Sequence, residues 1–483
     1  MGSQTDEPVD EPADSSNPDS ANPASTASSG TTARAKVRAL WDQDSATLVV
    51  LAVAFVGYSL YLRGHLLAGA DQADYEYAAQ VIASGWHQIV DRVPLYPLLL
   101  IATGSTHGPT MALFLVQLIG HLAAVFLVVR MARQMGVGAR LRLALAVLLV
   151  MSPVIAWMLA GGNEGMAEFF VVLGAWSFTC WLADRRPRWL LLLGVAAGLA
   201  AVGRPTFTLW WLAIGVVVAV ASGGTPAARL RTALMAVGPA LVLVLLLVGF
   251  NTVRFSYPTT TPLLPWNLST RTAAFVERLP QSDEPARSAL INGRDLSLLN
   301  GESHSGVVYI WPVRGELPSV THMQGRELDQ YMIRLNAKLI AQHPLSYLTA
   351  VATASGTYVL LAQPDTAGGS ALGLVWLGVH VVLVMAFAVQ ATVIGGLVLL
   401  RKVQRSTVLV LAFCYMTIAY NWLISTFVEV GIPRHRTPTD ALILLVTAVG
   451  WSELIRERNQ RGPAKTSDEL AMSVSDGRRR PTR

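Results

Sequence analysis

Apolar runs of about 20 residues recur along most of this chain, and they constrain its fold more than any other feature. Such a run is long enough to cross a bilayer as a helix. Because backbone polar groups in lipid have to bond within their own segment, these runs predict a helical bundle. Only 14% of the 483 residues are charged, against about 25% in soluble domains. The sequence therefore predicts an all-α polytopic membrane protein and excludes a soluble globule.

The apolar pattern predicts ten transmembrane helices, at residues 46–67, 109–132, 140–160, 164–183, 189–203, 205–222, 231–252, 371–400, 406–427 and 436–455. Basic residues cluster at alternate ends of these runs, and the positive-inside rule then places both termini in the cytoplasm. Residues 345–363 are apolar enough to form an eleventh span. Counting them would put Arg401, Lys402 and Arg405 outside, so we expect a helix on the outer surface instead.

The order of segments predicts one membrane domain between two polar tails. Residues 1–40 and 456–483 lack the apolar content to fold and are predicted to be disordered cytoplasmic tails. Residues 41–455 form the membrane domain, with extracytoplasmic loops 68–108, 254–370 and 428–435. The net charge of +6 does not indicate nucleic acid, because the basic residues flank apolar runs. Both cysteines lie inside apolar runs, which argues against a disulfide scaffold or a zinc site.

The first outer loop contains the stretch AGADQADYEYAAQVIASG, residues 68–85. Asp71, Tyr75, Ala78 and Ile82 fall on one face of a predicted helix. Asp71 and Asp74 can be explained as favourable charges at the start of this helix. A second interpretation makes Asp71 a general base that takes a proton from an acceptor hydroxyl. Tyr96, in the following VPLYPLLL stretch, fits an interfacial aromatic belt.

Other polar groups fall at the same predicted outer face. Glu164 and Glu168 are one turn apart at a helix start, where they can cap the helix or serve a function. Arg204 opposes the positive-inside trend and therefore needs an anion, either a carboxylate or a phosphate. The group EVGIPRHRTPTD contains Glu429, Arg434, His435, Arg436 and Asp440. It predicts either a salt-bridged loop or, with Arg204, a phosphate clamp.

Taken together, these motifs resemble the polytopic GT-C glycosyltransferases, specifically the family 39-like branch of protein mannosyltransferases and bacterial lipid-sugar transferases. The resemblance covers residues 46–455. Its motifs are Asp71-x3-Tyr75-x2-Ala78 with Gly85, Pro94-Leu95-Tyr96-Pro97, Ser152-Pro153, Gly203-Arg204-Pro205-Thr206, His343-Pro344 with Tyr347, and Arg434-His435-Arg436-Thr437-Pro438.

The resemblance implies transfer of a sugar from a polyprenyl-phosphate donor to a glycan, lipid or protein acceptor outside the cytoplasm, with inversion. It implies that Asp71 is the catalytic base, with the division of labour between Asp71 and Asp74 left open, and that Arg204 and Arg436 hold the donor phosphate. The phosphate-clamp interpretation adds Arg434 to these two arginines. Tyr75, Tyr96, Glu164, Glu168, Glu429 and His435 are expected to support the substrates. Some relatives use a divalent metal and others do not. The expected location is a bacterial plasma membrane.

Two other classes of protein remain open at this stage. A transporter or flippase of an anionic lipid would also carry polar residues within a bundle, although it would more often show internal repeats. A non-catalytic relative that binds a lipid-linked sugar is the third class. No glycine-rich phosphate loop or Walker motif occurs in the chain, which argues against ATP hydrolysis.

Overall fold

The computed structural model describes residues 29–61, 71–152, 162–300, 310–360, 403–429 and 431–460, with a few isolated positions between these ranges. Throughout these ranges the secondary structure is helical and contains no strand. Residues 1–48 and 49–483 form separate compact units. The first is represented by the beginning of α1, and all contacts described below lie within the second.

The helices follow the predicted apolar runs and the intervening outer segments. They are α1 (Ser29–Tyr61), α2 (Gln72–Ala83), α3 (Leu95–Ala102), α4 (Met111–Gln134), α5 (Ala139–Val150), α6 (Glu164–Asp184), α7 (Pro187–Gly203), α8 (Trp210–Ala221), α9 (Pro226–Phe255), α10 (Leu264–Thr272), α11 (Ala286–Leu299), α12 (Val313–Thr321), α13 (Gly325–Gln342), α14 (Pro344–Leu360), α15 (Arg405–Phe427) and α16 (Thr437–Gln460). Short 3-10 turns at Pro205–Phe207 and Pro433–Arg436 precede α8 and α16.

Within the part of the chain that the structure describes, five helices have the length and hydropathy of membrane spans, namely Met111–Gln134, Glu164–Asp184, Pro226–Phe255, Arg405–Phe427 and Arg434–Arg456. Shorter apolar helices occur at Ser45–Tyr61, Pro187–Gly203 and Pro205–Ala221. These positions agree with the predicted runs, so the all-α membrane architecture is confirmed. The predicted span 371–400 lies outside the described ranges, and α5 covers only the first part of the predicted span 140–160, most of whose remainder is also outside them. The total of ten spans therefore stays a prediction.

One boundary differs from the sequence prediction. Residues 29–40 were assigned to a disordered tail, but α1 begins at Ser29. The sequence ARAKVRAL over residues 33–40 consists mostly of strong helix formers. It therefore extends the apolar helix backwards along the chain instead of ending it.

The helix α14 contains most of the segment that could be counted as an eleventh span. Its Tyr347 hydroxyl donates to the Phe427 carbonyl at 2.6 Å, and its Tyr358 hydroxyl accepts from Asn421 Nδ2 at 2.9 Å. The helix thus runs beside the last turns of α15. It is not among the helices with the length and hydropathy of a span, and its place on the outer surface stays a prediction.

The described residues between positions 256 and 342, which are 256–300 and 310–342, form a smaller helical body that we call the loop subdomain. Its apolar core joins α10 to α13 through Trp266, Leu328, Met332 and Leu335. At the centre of its polar contacts, Asn336 donates to the Pro265 carbonyl at 2.9 Å. The long polar segment predicted between two spans is therefore an ordered body rather than an open loop.

The helices α7 and α9 pack at very short range because two glycines face the contact. A Cβ atom built on Gly194 would lie 2.4 Å from the Ala236 carbonyl oxygen, and one on Gly198 would lie 3.0 Å from Ala240 Cα. Small residues four apart allow helix backbones to approach in this way within membranes. This packing fixes α7, whose last residue directly precedes Arg204.

We therefore expect Gly194→Leu to destabilise the bundle by about 1–3 kcal/mol, because the added side chain overlaps a backbone that cannot move away cheaply. The measurement is thermal unfolding of the detergent-solubilised protein. Gly249→Leu is the matched control, since a Cβ atom at Gly249 meets nothing within 4 Å. Equal melting temperatures for the two variants would contradict the close contact.

Candidate functional site

Charged side chains from five separate segments meet at the end of the bundle where α6 begins and α7 ends, which we call the site end. We call the group the arginine–carboxylate cluster, and its members are Asp71, Asp74, Arg92, Glu164, Arg204 and Arg434. Helix ends place them there. Asp71 precedes α2, Glu164 begins α6, Arg204 follows α7, and Arg434 lies in the turn before α16.

The buried half of the cluster is organised by Glu164. Its Oε1 atom accepts from Arg434 Nε at 2.5 Å and from Arg204 Nη1 at 2.9 Å. Arg204 Nη1 also lies 3.3 Å from Asn163 Oδ1, and Asn163 donates to the Gly203 carbonyl at 2.9 Å. Glu164 is fully buried, so its charge has to be compensated by these two guanidinium groups.

The accessible half of the cluster is organised by Asp71. Its two carboxylate oxygens accept from different arginines, Arg434 Nη1 at 2.6 Å and Arg92 Nη2 at 3.1 Å. Arg92 Nη2 also donates to Asp74 at 2.7 Å. The exposed fraction of the side chain rises from 11% at Arg434 to 36% at Asp71 and 63% at Asp74. The cluster therefore leads from a buried ion pair to a surface accessible from solvent.

The electrostatics of the cluster keep Asp71 ionised. Partial burial raises the pKa of Asp71, but Arg434, Arg92 and the more remote His435 outweigh it and hold the pKa below its usual range. Three arginines face three carboxylates, so the cluster has no net formal charge without a ligand. Although Asp71 occupies the N-cap position of α2, its side chain makes no capping hydrogen bond. The capping interpretation therefore does not account for this side chain.

Two tyrosines predicted to support the site pack against the cluster. The Tyr75 ring meets the Tyr96 ring edge-on with centroids 4.8 Å apart, and the Arg92 guanidinium lies over the Tyr75 ring at 4.8 Å. Gln117 Nε2 lies 3.3 Å from the Tyr96 hydroxyl. Both tyrosines are buried, so Tyr96 does not form part of an interfacial belt. The Tyr75 ring makes a cation–π contact with the Arg92 guanidinium, and Tyr96 packs behind Tyr75.

Glu429 and His435 form a second group beside Arg434. His435 Nδ1 lies 3.0 Å from Glu429 Oε2, while the Thr206 hydroxyl donates to Glu429 Oε1 at 2.7 Å. The backbone of this loop is also anchored, since Arg271 Nε donates to the Glu429 carbonyl at 2.8 Å and Asn421 Nδ2 to the His435 carbonyl at 2.8 Å. These bonds fix the turn that presents Arg434.

Two predicted site residues have other partners. Arg436 pairs with Asp440, with Nε 2.7 Å from Oδ1, and donates to the Val359 carbonyl at 3.2 Å. Glu168 Oε2 lies 2.5 Å from His121 Nδ1, and both side chains are fully buried one turn deeper in the bundle. The structure therefore brings together Asp71, Asp74, Glu164, Arg204 and Arg434, and it pairs Arg436 and Glu168 elsewhere.

Sequence reasoning missed Arg92, which is the second guanidinium on Asp71. The signal was available, because Arg92 lies in a predicted outer loop and opposes the positive-inside trend in the same way as Arg204. Within the described ranges, no three His, Cys, Asp or Glu side chains are placed to share a metal ion. Use of a divalent metal stays a prediction.

Comparisons with known proteins return likenesses in structure alone. No family model matches the chain, and no curated protein matches it. It is similar to the archaeal oligosaccharyltransferase AglB from Archaeoglobus fulgidus, solved with an inhibitory peptide and a dolichol-phosphate (14% identity, 90% of this chain and 54% of that chain, TM-score 0.46). It is also similar to ArnT from Cupriavidus metallidurans bound to undecaprenyl phosphate (14%, 86% and 78%, TM-score 0.31).

Both likenesses are at 14% identity with TM-scores below 0.5, and the resemblance given by the sequence motifs therefore stands on those motifs. The chain spans about half the length of the archaeal oligosaccharyltransferase. The roles of individual residues rest on the contacts within this chain.

The first prediction from this site concerns the buried half of the cluster. We expect Glu164→Gln to destabilise the protein by about 3–5 kcal/mol, because it leaves two buried guanidinium groups without their shared counter-charge. Asp74→Asn, which alters the exposed end of the same cluster, should have a much smaller effect on the melting temperature. Adding Arg204→Met to Glu164→Gln should recover part of the loss. A melting temperature unchanged by Glu164→Gln would contradict this account.

The second prediction concerns pH. Since the folded state lowers the pKa of Asp71, its ionised form adds stability above the unfolded pKa of about 3.9, and that stability is lost as the pH falls below this value. Wild type should therefore melt above Asp71→Asn at pH 7, and the gap should shrink below about pH 4. A gap that stays constant between pH 7 and pH 3 would show that the carboxylate charge is not its cause.

Proposed function

We propose that this chain is a membrane glycosyltransferase that takes a sugar from a polyprenyl-phosphate-linked donor and transfers it, with inversion, to an extracytoplasmic acceptor. The observation that carries the proposal is the position of Asp71 between the guanidinium groups of Arg92 and Arg434, at the accessible end of the helix bundle. A carboxylate that can accept a proton lies next to two cations that can hold a phosphate. Both groups are needed for this transfer.

We assign the donor phosphate to Arg434 and Arg92. Both are partly accessible, and both present more than one N–H to their partners in this structure. A planar guanidinium suits a phosphate because it donates two parallel hydrogen bonds. Arg204 is more deeply buried against Glu164 and supports the clamp through that carboxylate. Arg436 is already paired with Asp440, so we do not place it on the phosphate.

The charge balance of the cluster suggests how Asp71 becomes a base. A donor phosphodiester brings one negative charge to a group that is already neutral, so a carboxylate has to give up part of its contact. Arg434 contacts two carboxylates, and of these Asp71 is accessible to solvent whereas Glu164 is fully buried. We infer that the phosphate takes over Arg434 Nη1, and that the carboxylate of Asp71 turns towards the acceptor.

The reaction then proceeds as one displacement. The acceptor oxygen forms a bond to the anomeric carbon while the bond from that carbon to the phosphate oxygen breaks, and its electron pair leaves with polyprenyl phosphate. Asp71 accepts the hydroxyl proton. Arg434 and Arg92 stabilise the charge that develops on the leaving phosphate, because they are held in place before the reaction begins. Asp74 binds Arg92 and keeps it beside Asp71.

The two similar structures were solved with polyprenyl-type phosphates, dolichol-phosphate in one and undecaprenyl phosphate in the other. This ligand class agrees with the proposal, which stands on the contacts of the cluster. A hexose or a pentose can be the transferred sugar, and a glycan, a lipid or a protein can be the acceptor.

Binding of the lipid phosphate tests the clamp without knowledge of the sugar. We expect decaprenyl phosphate to bind the purified protein in nanodiscs, and Arg434→Gln to weaken binding about 10- to 100-fold, the loss expected for a charged hydrogen-bonding pair. The double variant Arg436→Gln/Asp440→Asn removes a buried pair from the same turn and should bind as wild type does. Equal loss of affinity in Arg434→Gln and in the double variant would indicate that Arg436 also contacts the phosphate.

Transfer tests the base. Wild type and Asp71→Asn would be given decaprenyl-phosphate mannose and decaprenyl-phosphate arabinofuranose with native membranes as acceptor, and release of decaprenyl phosphate would be measured. We expect wild type to consume one of the donors and Asp71→Asn to lose at least about 100-fold in rate, within the range attributed to general base catalysis. Turnover by Asp71→Asn at the wild-type rate would overturn the base. Binding of donors by wild type without their consumption, together with movement of the lipid across liposomes, would favour a flippase.

A further inference from the structure

The residue directly before Arg92 is held by the loop subdomain. Arg314, at the start of α12, makes a bidentate ion pair with the Asp91 carboxylate. Its Nη2 atom lies 2.7 Å from Oδ1, and its Nη1 atom contacts Oδ2. The two residues are 223 positions apart in the chain. This two-pronged geometry fixes the direction of the carboxylate as well as its distance.

The backbone of Asp91 is held by the same subdomain. The Thr261 hydroxyl donates to the Asp91 carbonyl oxygen. Thus both the side chain and the main chain of Asp91 are attached to residues 256–342, while the next side chain, Arg92, is attached to Asp71 and Asp74 in the cluster. Two neighbouring residues therefore connect two different bodies.

The Arg314 side of this connection is itself well supported. Its guanidinium lies over the Trp266 ring at 5.1 Å, and Trp266 Nε1 donates to Asp329 Oδ1 at 2.9 Å. The other oxygen of Asp329 accepts from the Tyr257 hydroxyl, just beyond the end of α9. A continuous series of contacts runs from α13 through Trp266 and Arg314 to the dipeptide Asp91-Arg92.

The loop that carries this dipeptide has little regular structure of its own. Residues 84–94 between α2 and α3 form turns, with Gly85 and Trp86 both at positive φ. Such a segment can place a side chain accurately only if something outside it fixes the backbone. Asp91 and Arg314 are each about one-third exposed, and ion pairs of that exposure add little to the free energy of unfolding. The pair therefore contributes mainly by fixing the position of the loop backbone, and much less by adding to the free energy of unfolding.

We propose that the Asp91–Arg314 pair is a positioning contact for Arg92, through which the loop subdomain sets the affinity of the site for the donor phosphate. The proposal rests on the proposed function, in which Arg92 contacts that phosphate. It makes the subdomain part of the binding site although, among its described residues, no side chain is paired with a member of the cluster. A group bound to the subdomain could then alter donor binding by moving Arg314.

The test is a double-mutant cycle on decaprenyl phosphate affinity, measured on the full-length protein in nanodiscs. We expect Arg314→Gln to weaken binding about 3- to 10-fold and Arg92→Gln to weaken it by at least as much. The combined variant should bind no worse than Arg92→Gln alone, because Arg314 acts only through Arg92. Arg287→Gln on α11 removes a comparably exposed pair with Glu284, which precedes that helix, and should leave the affinity unchanged.

Three outcomes would overturn this inference. Arg314→Gln could bind as wild type does, which would leave the pair as a surface contact. The loss of affinity in Arg314→Gln could add in full to the loss in Arg92→Gln, which would show that Arg314 does not act through Arg92. A matching fall in melting temperature would then identify general destabilisation of the protein as the cause. Wild type could fail to bind decaprenyl phosphate, or Arg92→Gln could leave binding intact; either result refutes the role of Arg92 in the proposed function itself.

Discussion

The site depends on one buried carboxylate. Glu164 begins α6 and receives hydrogen bonds from Arg204, which follows α7, and from Arg434, which precedes α16. Removing a carboxylate and two guanidinium groups from water is costly, and only their mutual contact offsets this cost. The three helix ends are therefore held at one level in the bundle. Asp71 can meet Arg434 only because this contact has already fixed the direction of the guanidinium.

The outer half of the cluster has a different physical character. Asp71, Asp74 and Arg92 are more accessible than Glu164, and they lie in a loop or at the start of α2. Their contacts can therefore be exchanged for a ligand at lower cost than those of Glu164. The same group thus combines a fixed interior with a replaceable surface. Such a combination suits a site that receives a lipid phosphate from the membrane and releases another one after the transfer.

Hydropathy and charge at the ends of apolar runs were sufficient to predict most of the described apolar helices, because both follow from the bilayer. They also identified Asp71, Glu164 and Arg204 as members of one face. They could not distinguish Arg434 from Arg436. These two arginines lie two positions apart in one short turn, but their side chains pair with different neighbours, Glu164 and Asp440. Residue spacing also gave no account of Asp91 and Arg314, whose contact depends on how the loop subdomain folds. Contacts between positions 223 or 270 residues apart leave no trace in local pattern.

The close packing of α7 on α9 has a consequence for how the chain can vary. Gly194 and Gly198 set the rotation and height of α7 by backbone contact, and Arg204 follows at its end with no flexible connection between them. One residue inserted between Gly198 and Arg204 would turn the guanidinium by about 100° and move it about 1.5 Å along the axis. The length of this stretch is therefore fixed as strictly as the identity of Arg204, and natural changes in chain length should be confined to loops away from it.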